Sequence, residues 1–560
     1  MFTWNSPGFR PAVPFYEVRT IAPGRTGDYG PTMGQRVQET ERKYEAAGGG
    51  PDSELPELPD LSGLPAVAAT RDLAPVRLDA VYYDTAELAL AAHRRTLRRR
   101  TGGDDAGWHL KLPTAAADTR TEVHAPLDAA TTTPPEELRA EVAAVVRGRP
   151  LAPVLRLRTT RRRVLLLAAD GGTLAEVAHD EVEATVPPSE GTAEPGGDTD
   201  GPAADPGGSP RSPRSPRSSW AEIEVELYGD GDPALLDAVE ERFTAAGLRR
   251  SAAGSKLARA LGDRLVPLPK PPARITTAGE VATGYLHAQL SAILALDPAV
   301  RRAEEDAVHR MRVATRRSRS VLKSFRPELD RKITDPLGDE LKWLAAVLGM
   351  ERDREVLAER LARRLAELDP ALVGKPLRRR LRGPAGHTDA HAALVRELDG
   401  TRYFSLLDTF ESLLAAPPYR RAADAPAVEA ATATVRRDHA RLRAQIQAGL
   451  DLAPGDDRDI VLHEARKDAK RARYSSEAAE AVLGTPAAEH TARMKGVQQL
   501  LGEHQDSVMC RVALHALREQ ARAAGEDTAP YDAIDRRERE IAADVEAKLP
   551  AQWRAADRTV

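Results

Sequence analysis

Cysteine is nearly absent from this chain: Cys510 is the only one in 560 residues. One thiol cannot build a disulfide framework or a thiolate metal cluster, so a reducing compartment, the cytoplasm, is expected. Aromatic residues are scarce, at 4%, and no platform for stacking bases is evident, which makes nucleic acid a poor partner. No apolar run nears the ~20 residues that cross a bilayer. The longest, Val164 to Ala169, is strand-sized, and no membrane association is expected. The chain does not open on a basic segment followed by an apolar stretch, so no secretory signal is expected either. The formal net charge of −4 excludes a globally basic nucleic-acid binder and leaves room for local basic patches.

What is present divides the chain in two. A length of 560 residues exceeds what one hydrophobic core supports. Residues 1–34 are Gly-, Pro- and Arg-rich without periodicity and read as a disordered leader, with Met33 an alternative start just before strand-like sequence. Residues 35–265 alternate as short strands, for instance Val76–Tyr83, Trp108–Leu112, Val154–Leu167 and Glu222–Leu227, with one helical stretch at Glu136–Val146. Residues 187–219, rich in Pro, Gly and Ser and ending in a Ser-Pro-Arg repeat, read as a disordered insert within a loop. The proline-rich stretch 266–274 reads as a linker, and helical periodicity fills 275–550.

In the strand region, Glu39, Glu41 and Lys43 share a face by alternation, as do Glu222, Glu224 and Glu226, with Ile223, Val225 and Leu227 on the opposite, apolar side. Rows of like charge repel unless a cation sits among them, and hard oxygen ligands suit Mg²⁺ or Mn²⁺. Between the two rows lie Arg98, Arg100, Lys111, Arg120 beside Glu122, Arg158 and Arg161, and Lys256 and Arg259 follow on a segment that looks helical. Arginine matches phosphate oxygens bidentately and lysine acts as a point charge, so the set suggests a polyanion held with metal ions.

The order Glu39-x-Glu41-x-Lys43, Tyr82-Tyr83-Asp84-Thr85, Leu97-Arg98-x-Arg100, Leu110-Lys111-Leu112-Pro113, Arg120-x-Glu122, Asp180, Glu222-x-Glu224 and Ser255-Lys256 resembles a CYTH domain, the triphosphate tunnel metalloenzyme fold. The resemblance implies an eight-stranded antiparallel barrel around a tunnel that acts on triphosphates. It implies metal ligation by Glu39, Glu41, Asp180, Glu222 and Glu224. It implies triphosphate contacts from Lys43, Arg98, Arg100, Lys111, Arg161 and Lys256, with Arg158 competing with Arg161 for one role. Glu39, Glu41, Lys43 and Lys256 are then the catalytic set. The expected reaction is metal-assisted hydrolysis of inorganic triphosphate, an organic triphosphate or polyphosphate; a cyclase, as in relatives that make cyclic AMP, and a non-catalytic scaffold are the alternatives.

The helical half repeats internally. His309, Arg312, Arg316, Arg319 and Lys323 fall within about an 80° sector of one helix, and His463, Arg466, Lys470 and Arg473 recur at the same offsets. Leu348-Gly349 precedes Asp353 as Leu501-Gly502 precedes Asp506, at nearly equal distance from each histidine. Two similar bundles related by a pseudo-twofold axis are expected. The histidines lack i, i+4 partners for zinc. These residues resemble a CHAD domain, the conserved-histidine α-helical domain, which implies a phosphate-polymer binding module whose cationic face receives repeated phosphates.

Overall fold

The computed structural model describes residues 35–47, 55–128, 132–186, 217–229, 231–382 and 387–560. The expected leader and nearly all of the expected insert lie outside these residues. The chain forms two compact units that meet in sequence between Leu268 and Pro269.

The first unit is a closed antiparallel barrel. Strands β1 (Gln35–Ala46), β2 (Ala69–Asp84), β3 (Thr96–Thr101), β4 (Gly107–Pro113), β5 (Thr119–Ala125), β6 (Ala152–Leu167), β7 (Thr173–Thr185) and β8 (Arg217–Leu227) run in the order β5-β4-β3-β2-β6-β7-β8-β1. Pairing of β5 with β1, from Gln35 opposite His124 to Thr40 opposite Thr119, closes the ring. A three-residue strand, β9 (Leu248–Arg250), adds to the far end of β1. β8 begins at Arg217, so Arg217–Ser219 pair with Glu183–Thr185 and belong to the wall instead of the insert. The helix expected over Glu136–Val146 is two short helices, Glu136–Glu141 and Ala143–Val146, separated at Val142.

The barrel turns its charged side chains inward, so most of its apolar core lies outside. On one side Tyr44, Ile223, Val225 and Leu227 pack under Leu236, Val239 and Phe243 of helix α1 (Ala234–Ala245). On another, Tyr83, Leu97, Trp108, Leu110 and Val123 pack under Leu138, Val142 and Val145. Burying a full aliphatic or aromatic side chain contributes about 2 kcal/mol, and these outer cores supply what a charged interior cannot. Beside helix α2 (Lys256–Leu261) one sector of the interior is apolar, where Leu155, Leu157, Val182 and Trp220 meet Leu257 and Leu261. Ser255 caps that helix, its Oγ accepting from the Ala258 amide at 3.0 Å.

The second unit is helical. Helices α3 (Ala307–Ser324) and α4 (Arg331–Glu367) carry the first copy of the repeat, and α5 (Asp456–Leu483) and α6 (Thr485–Ala523) carry the second. The two histidine-bearing helices, α3 and α5, pack against each other. Arg471 reaches the Lys323 carbonyl at 3.0 Å, and Ser324 donates to the buried Asp438 at 2.6 Å. The repeated glycines have a steric reason. A Cβ on Gly349 would stand 3.0 Å from the Arg312 guanidinium, and one on Gly502 would stand 3.4 Å from that of Arg466. The side chain of Asp353 lies outside the described residues, whereas its counterpart Asp506 pairs with Arg466 at 3.5 Å.

Candidate active site and candidate polyanion surface

Alternation along the wall produces the site. β1 sends Glu39, Glu41 and Lys43 inward, β3 sends Arg98 and Arg100, β4 Lys111, β5 Arg120 and Glu122, β6 Arg161, and β8 Glu224 and Glu226. They line a cavity of about 610 Å³, which Lys256 enters from α2. Asp180 and Glu222 stand at its edge, and both are buried.

Cations and carboxylates interlock there. Lys256 lies 2.9 Å from Asp180, 2.9 Å from Glu222 and 2.6 Å from Glu224. Arg161 grips Asp180 with two bonds of 2.7 Å and reaches Glu224 at 2.6 Å. Lys43 pairs with Glu224 and lies 3.2 Å from Glu41, and Lys111 pairs with Glu39 and lies 3.7 Å from Glu41. Glu222 also accepts from the Trp220 indole at 2.7 Å, and Arg100 pairs with Asp105.

Proton affinities follow from burial and neighbours. Burial raises Glu39 above the ordinary carboxylate range, and the adjoining Glu122 adds to this against the pull of Lys111. Burial presses Glu41 the same way, but Lys111 and Lys43 outweigh it and hold its pKa at about 2. Burial opposes the charged form of Lys256, yet Asp180, Glu222 and Glu224 keep it well above the usual lysine value. His109 is pushed down to about 4 by burial, so near neutral pH it is uncharged, and its Nδ1 donates to the Glu122 carboxylate at 3.0 Å.

The sequence left Arg158 and Arg161 competing, and strand parity separates them. Arg161 faces the cavity, whereas Arg158 points outward, is 64% exposed, and lies 3.7 Å from Asp79. Arg158 is therefore not a cavity contact. Cavity residues missed in the sequence include Glu176 and Arg163, which share parity with Asp180 and Arg161, and Arg94 and Arg95, which precede β3 and carry no periodic signal.

A hard divalent ion fits this donor set on two observations. Carboxylates from β1 and β8 converge on one space, and Glu39 Oε2 and Glu222 Oε1 are buried without a well-directed hydrogen bond although lysines sit beside them. Both oxygens of Asp180, by contrast, are engaged by Arg161, with Lys256 also on Oδ2.

In the helical unit, Arg312, Arg316 and Arg466 surround Lys470. Burial and these three cations press its pKa down to about 7, with Asp506 the opposing influence. Further along, Lys323 is depressed by burial and by Arg319, Arg326, Arg471 and Lys342. Other members of the expected binding face are held within the bundle. Arg473 donates to Glu477 at 2.9 Å, and His463 Nδ1 donates to Gln505 at 2.6 Å. His309 is half-buried in the first turn of α3. A separate group went unnoticed in the sequence: His504 Nε2 lies 3.3 Å from Asp459 and 3.2 Å from Glu546. Arg511 at 2.8 Å from Asp459 and Arg458 at 3.1 Å from Glu546 already balance its carboxylates. Among the described residues no helix is long and apolar enough to cross a membrane.

Comparison with known proteins agrees with this architecture. The CYTH domain model matches residues 38–261 and the CHAD domain model residues 284–515. Two uncharacterized proteins of Mycobacterium tuberculosis, from strains H37Rv and CDC 1551, are each 38% identical over 536 residues, covering 94% of this chain and 97% of the relative. Among solved structures, PptA from Streptomyces chartreusis is 22% identical, covers 50% of this chain and 99% of its own, and superposes with a TM-score of 0.42. The CHAD domain from the plant Ricinus communis is 21% identical, covers 52% of this chain and 96% of its own, and gives a TM-score of 0.39. The chain belongs to the family of proteins in which a CYTH domain is followed by a CHAD domain.

Proposed function

We propose that the barrel hydrolyses phosphoanhydride bonds of triphosphate or polyphosphate with Mg²⁺ or Mn²⁺, and that the helical unit binds polyphosphate. The observation that carries the first half is the interlocked interior. Lys43, Arg98, Arg100, Lys111, Arg161 and Lys256 share one cavity with Glu39, Glu41 and Glu224, and Lys256 also meets the edge carboxylates Asp180 and Glu222.

Such a ring is built to exchange partners. A triphosphate entering it offers its oxygens to the lysines and arginines, which frees carboxylates for a metal. Glu39, Glu41, Glu222 and Glu224 would hold a hard divalent ion, which would supply charge neutralisation and Lewis acidity toward the phosphoryl oxygens. Asp180 keeps Arg161 and Lys256 aimed at the cavity, so these cations meet the substrate already oriented. Lys111 and Lys43 stabilise charge that grows on the transferring group. Catalysis of this kind is positioning plus electrostatics, and it needs no nucleophilic serine, cysteine or histidine.

The helical half of the proposal rests on Arg312, Arg316, Arg466 and Lys470, which come from both copies of the repeat and crowd one place. A polymer of repeated phosphates meets several of these cations at once, which favours a multivalent anion over a single one. The test is a release assay comparing inorganic triphosphate, long-chain polyphosphate, thiamine triphosphate and ATP with Mg²⁺ or Mn²⁺. Phosphate release from one or more of these supports the reading. Cyclic AMP from ATP as the main product would replace it with the cyclase alternative.

A further inference from the structure

Six Lys and Arg residues account for a triphosphate, yet four further arginines line the same cavity: Arg94, Arg95, Arg120 and Arg163. Strand direction separates the cavity's ends. Arg94, Arg120 and Gly254 lie toward the end closed by α2, while Asp104, Glu176 and Tyr228 lie toward the other. One end is thus cationic and the other largely acidic.

The cationic end is held in place at a cost. Arg94 follows the short helix Ala89–Ala92 with φ +58°, a left-handed conformation that costs a non-glycine residue about 1 kcal/mol. Its side chain is exposed at the rim. Arg120 stands directly across from Glu39 in the β1–β5 register. Its guanidinium donates to the Arg94 carbonyl at 3.3 Å and the Gly254 carbonyl at 3.2 Å. Two backbone carbonyls therefore fix Arg120 beside a second arginine. After burial, Arg94 is the largest influence depressing the Arg120 pKa, and Glu41 offsets it. Among the described residues neither guanidinium is ion-paired, unlike Lys43, Lys111, Arg161 and Lys256 deeper in.

We propose that Arg94 and Arg120 form an additional phosphate subsite at the cationic end, which receives phosphoryl groups beyond the three held by the deep ring. The substrate class this selects is linear polyphosphate of four or more phosphates. The inference rests on the hydrolytic reading of the same cavity and extends it along the chain of the substrate. Arg120 is tethered and Arg94 is free to swing at the rim, so Arg94 meets the more distal phosphate.

The full-length chain tests this with Arg94→Gly, which removes the guanidinium and relieves the left-handed strain, and with Arg94→Lys, which restores a charge. Hydrolysis is followed on inorganic chains of three, four and about ten phosphates. The expected result is that kcat/KM of Arg94→Gly falls about tenfold further on the longer chains than on triphosphate, the worth of one charge-assisted contact, and that Arg94→Lys recovers part of it. An equal fall at all lengths, or no change at any, overturns the subsite. If the wild-type chain hydrolyses none of the three, the hydrolytic reading fails instead. The same ratio is then read from calorimetric affinities for triphosphate and the longer chains, where length-independent effects of Arg94→Gly still refute the subsite.

Discussion

The barrel interior and the paired α3–α5 surface both concentrate Lys and Arg, but they handle the charge in opposite ways. In the barrel nearly every deep cation has a carboxylate at hand: Lys256 touches three and Arg161 touches two. Around Lys470 the neighbours are mainly other cations, and its pKa falls to about 7 as a result. The enclosed, balanced site suits chemistry, because oppositely charged groups can be redistributed over a substrate and a metal. The cation-crowded surface suits binding, because an anion laid across it meets several cations at once. Lys256 is ringed by carboxylates and Lys470 mainly by arginines, and that makes the distinction.

The first way to break this comparison is to disturb the acidic row. Glu41→Gln removes one anionic group at almost constant volume, and we expect phosphate release to fall on the order of 100-fold or more with the melting temperature nearly preserved. Wild-type turnover at limiting Mg²⁺ or Mn²⁺ would contradict the ligand assignment.

Removing the balancing cation tests stability. Lys256→Met leaves Asp180, Glu222 and Glu224 to repel one another in a buried place, and urea unfolding of the barrel should report a loss of about 3 kcal/mol. Added Mg²⁺ or Mn²⁺ should recover part of it.

On the helical surface the expected effects are smaller and depend on salt. Replacing Arg312, Arg316, Arg466 and Lys470 by Ala should weaken polyphosphate binding on the order of 30-fold near 0.1 M salt, about 0.5 kcal/mol per screened contact. The salt slope should flatten by about 0.7 per contact removed. Circular dichroism should stay helical, since Ala is the best helix former. Unaltered affinity and slope would make this an ordinary solvated surface.

The titration of Lys470 sharpens the contrast. Its folded pKa is lowered to about 7, and a bound polyanion favours the charged form and raises it. Binding therefore takes up a proton, and affinity falls as pH rises, by about fivefold from pH 7 to pH 8. Calorimetry in buffers of different ionisation enthalpy reads the proton directly, and Lys470→Arg should abolish the dependence.

The smallest expected change comes from shortening the segment between β7 and β8. Replacing residues 187–216 with a short Gly/Ser turn should shift stability by less than about 1 kcal/mol, because each doubling of loop length costs only about 0.6 kcal/mol. A large drop in activity or melting temperature would show that the segment packs or gates.

The barrel was readable because period-two alternation converts directly into facing. Glu39, Glu41 and Lys43 needed no partner to be placed on one side of β1, and parity would equally have found Glu176 and excluded Arg158. Arg94 was not readable: it sits between a short helix and β3, where neither period applies, and its position depends on a left-handed backbone that only the fold reveals. In the helices, spacing placed the cations on one face but could not say which would be neutralised. Arg473 and Arg466 have equivalent sequence settings, yet Arg473 donates to Glu477 at 2.9 Å while Arg466 lies 3.5 Å from Asp506 and beside Lys470. The repeated glycines signalled the duplication without showing that each makes room for an arginine on the neighbouring helix.

The most direct test of the central claim is phosphate release from inorganic triphosphate by the full-length chain, with Mg²⁺ or Mn²⁺, with chelator, and with Glu41→Gln in parallel. The account predicts release that requires the ion and is nearly lost in the variant. Release that persists in chelator and is unchanged by Glu41→Gln would contradict it.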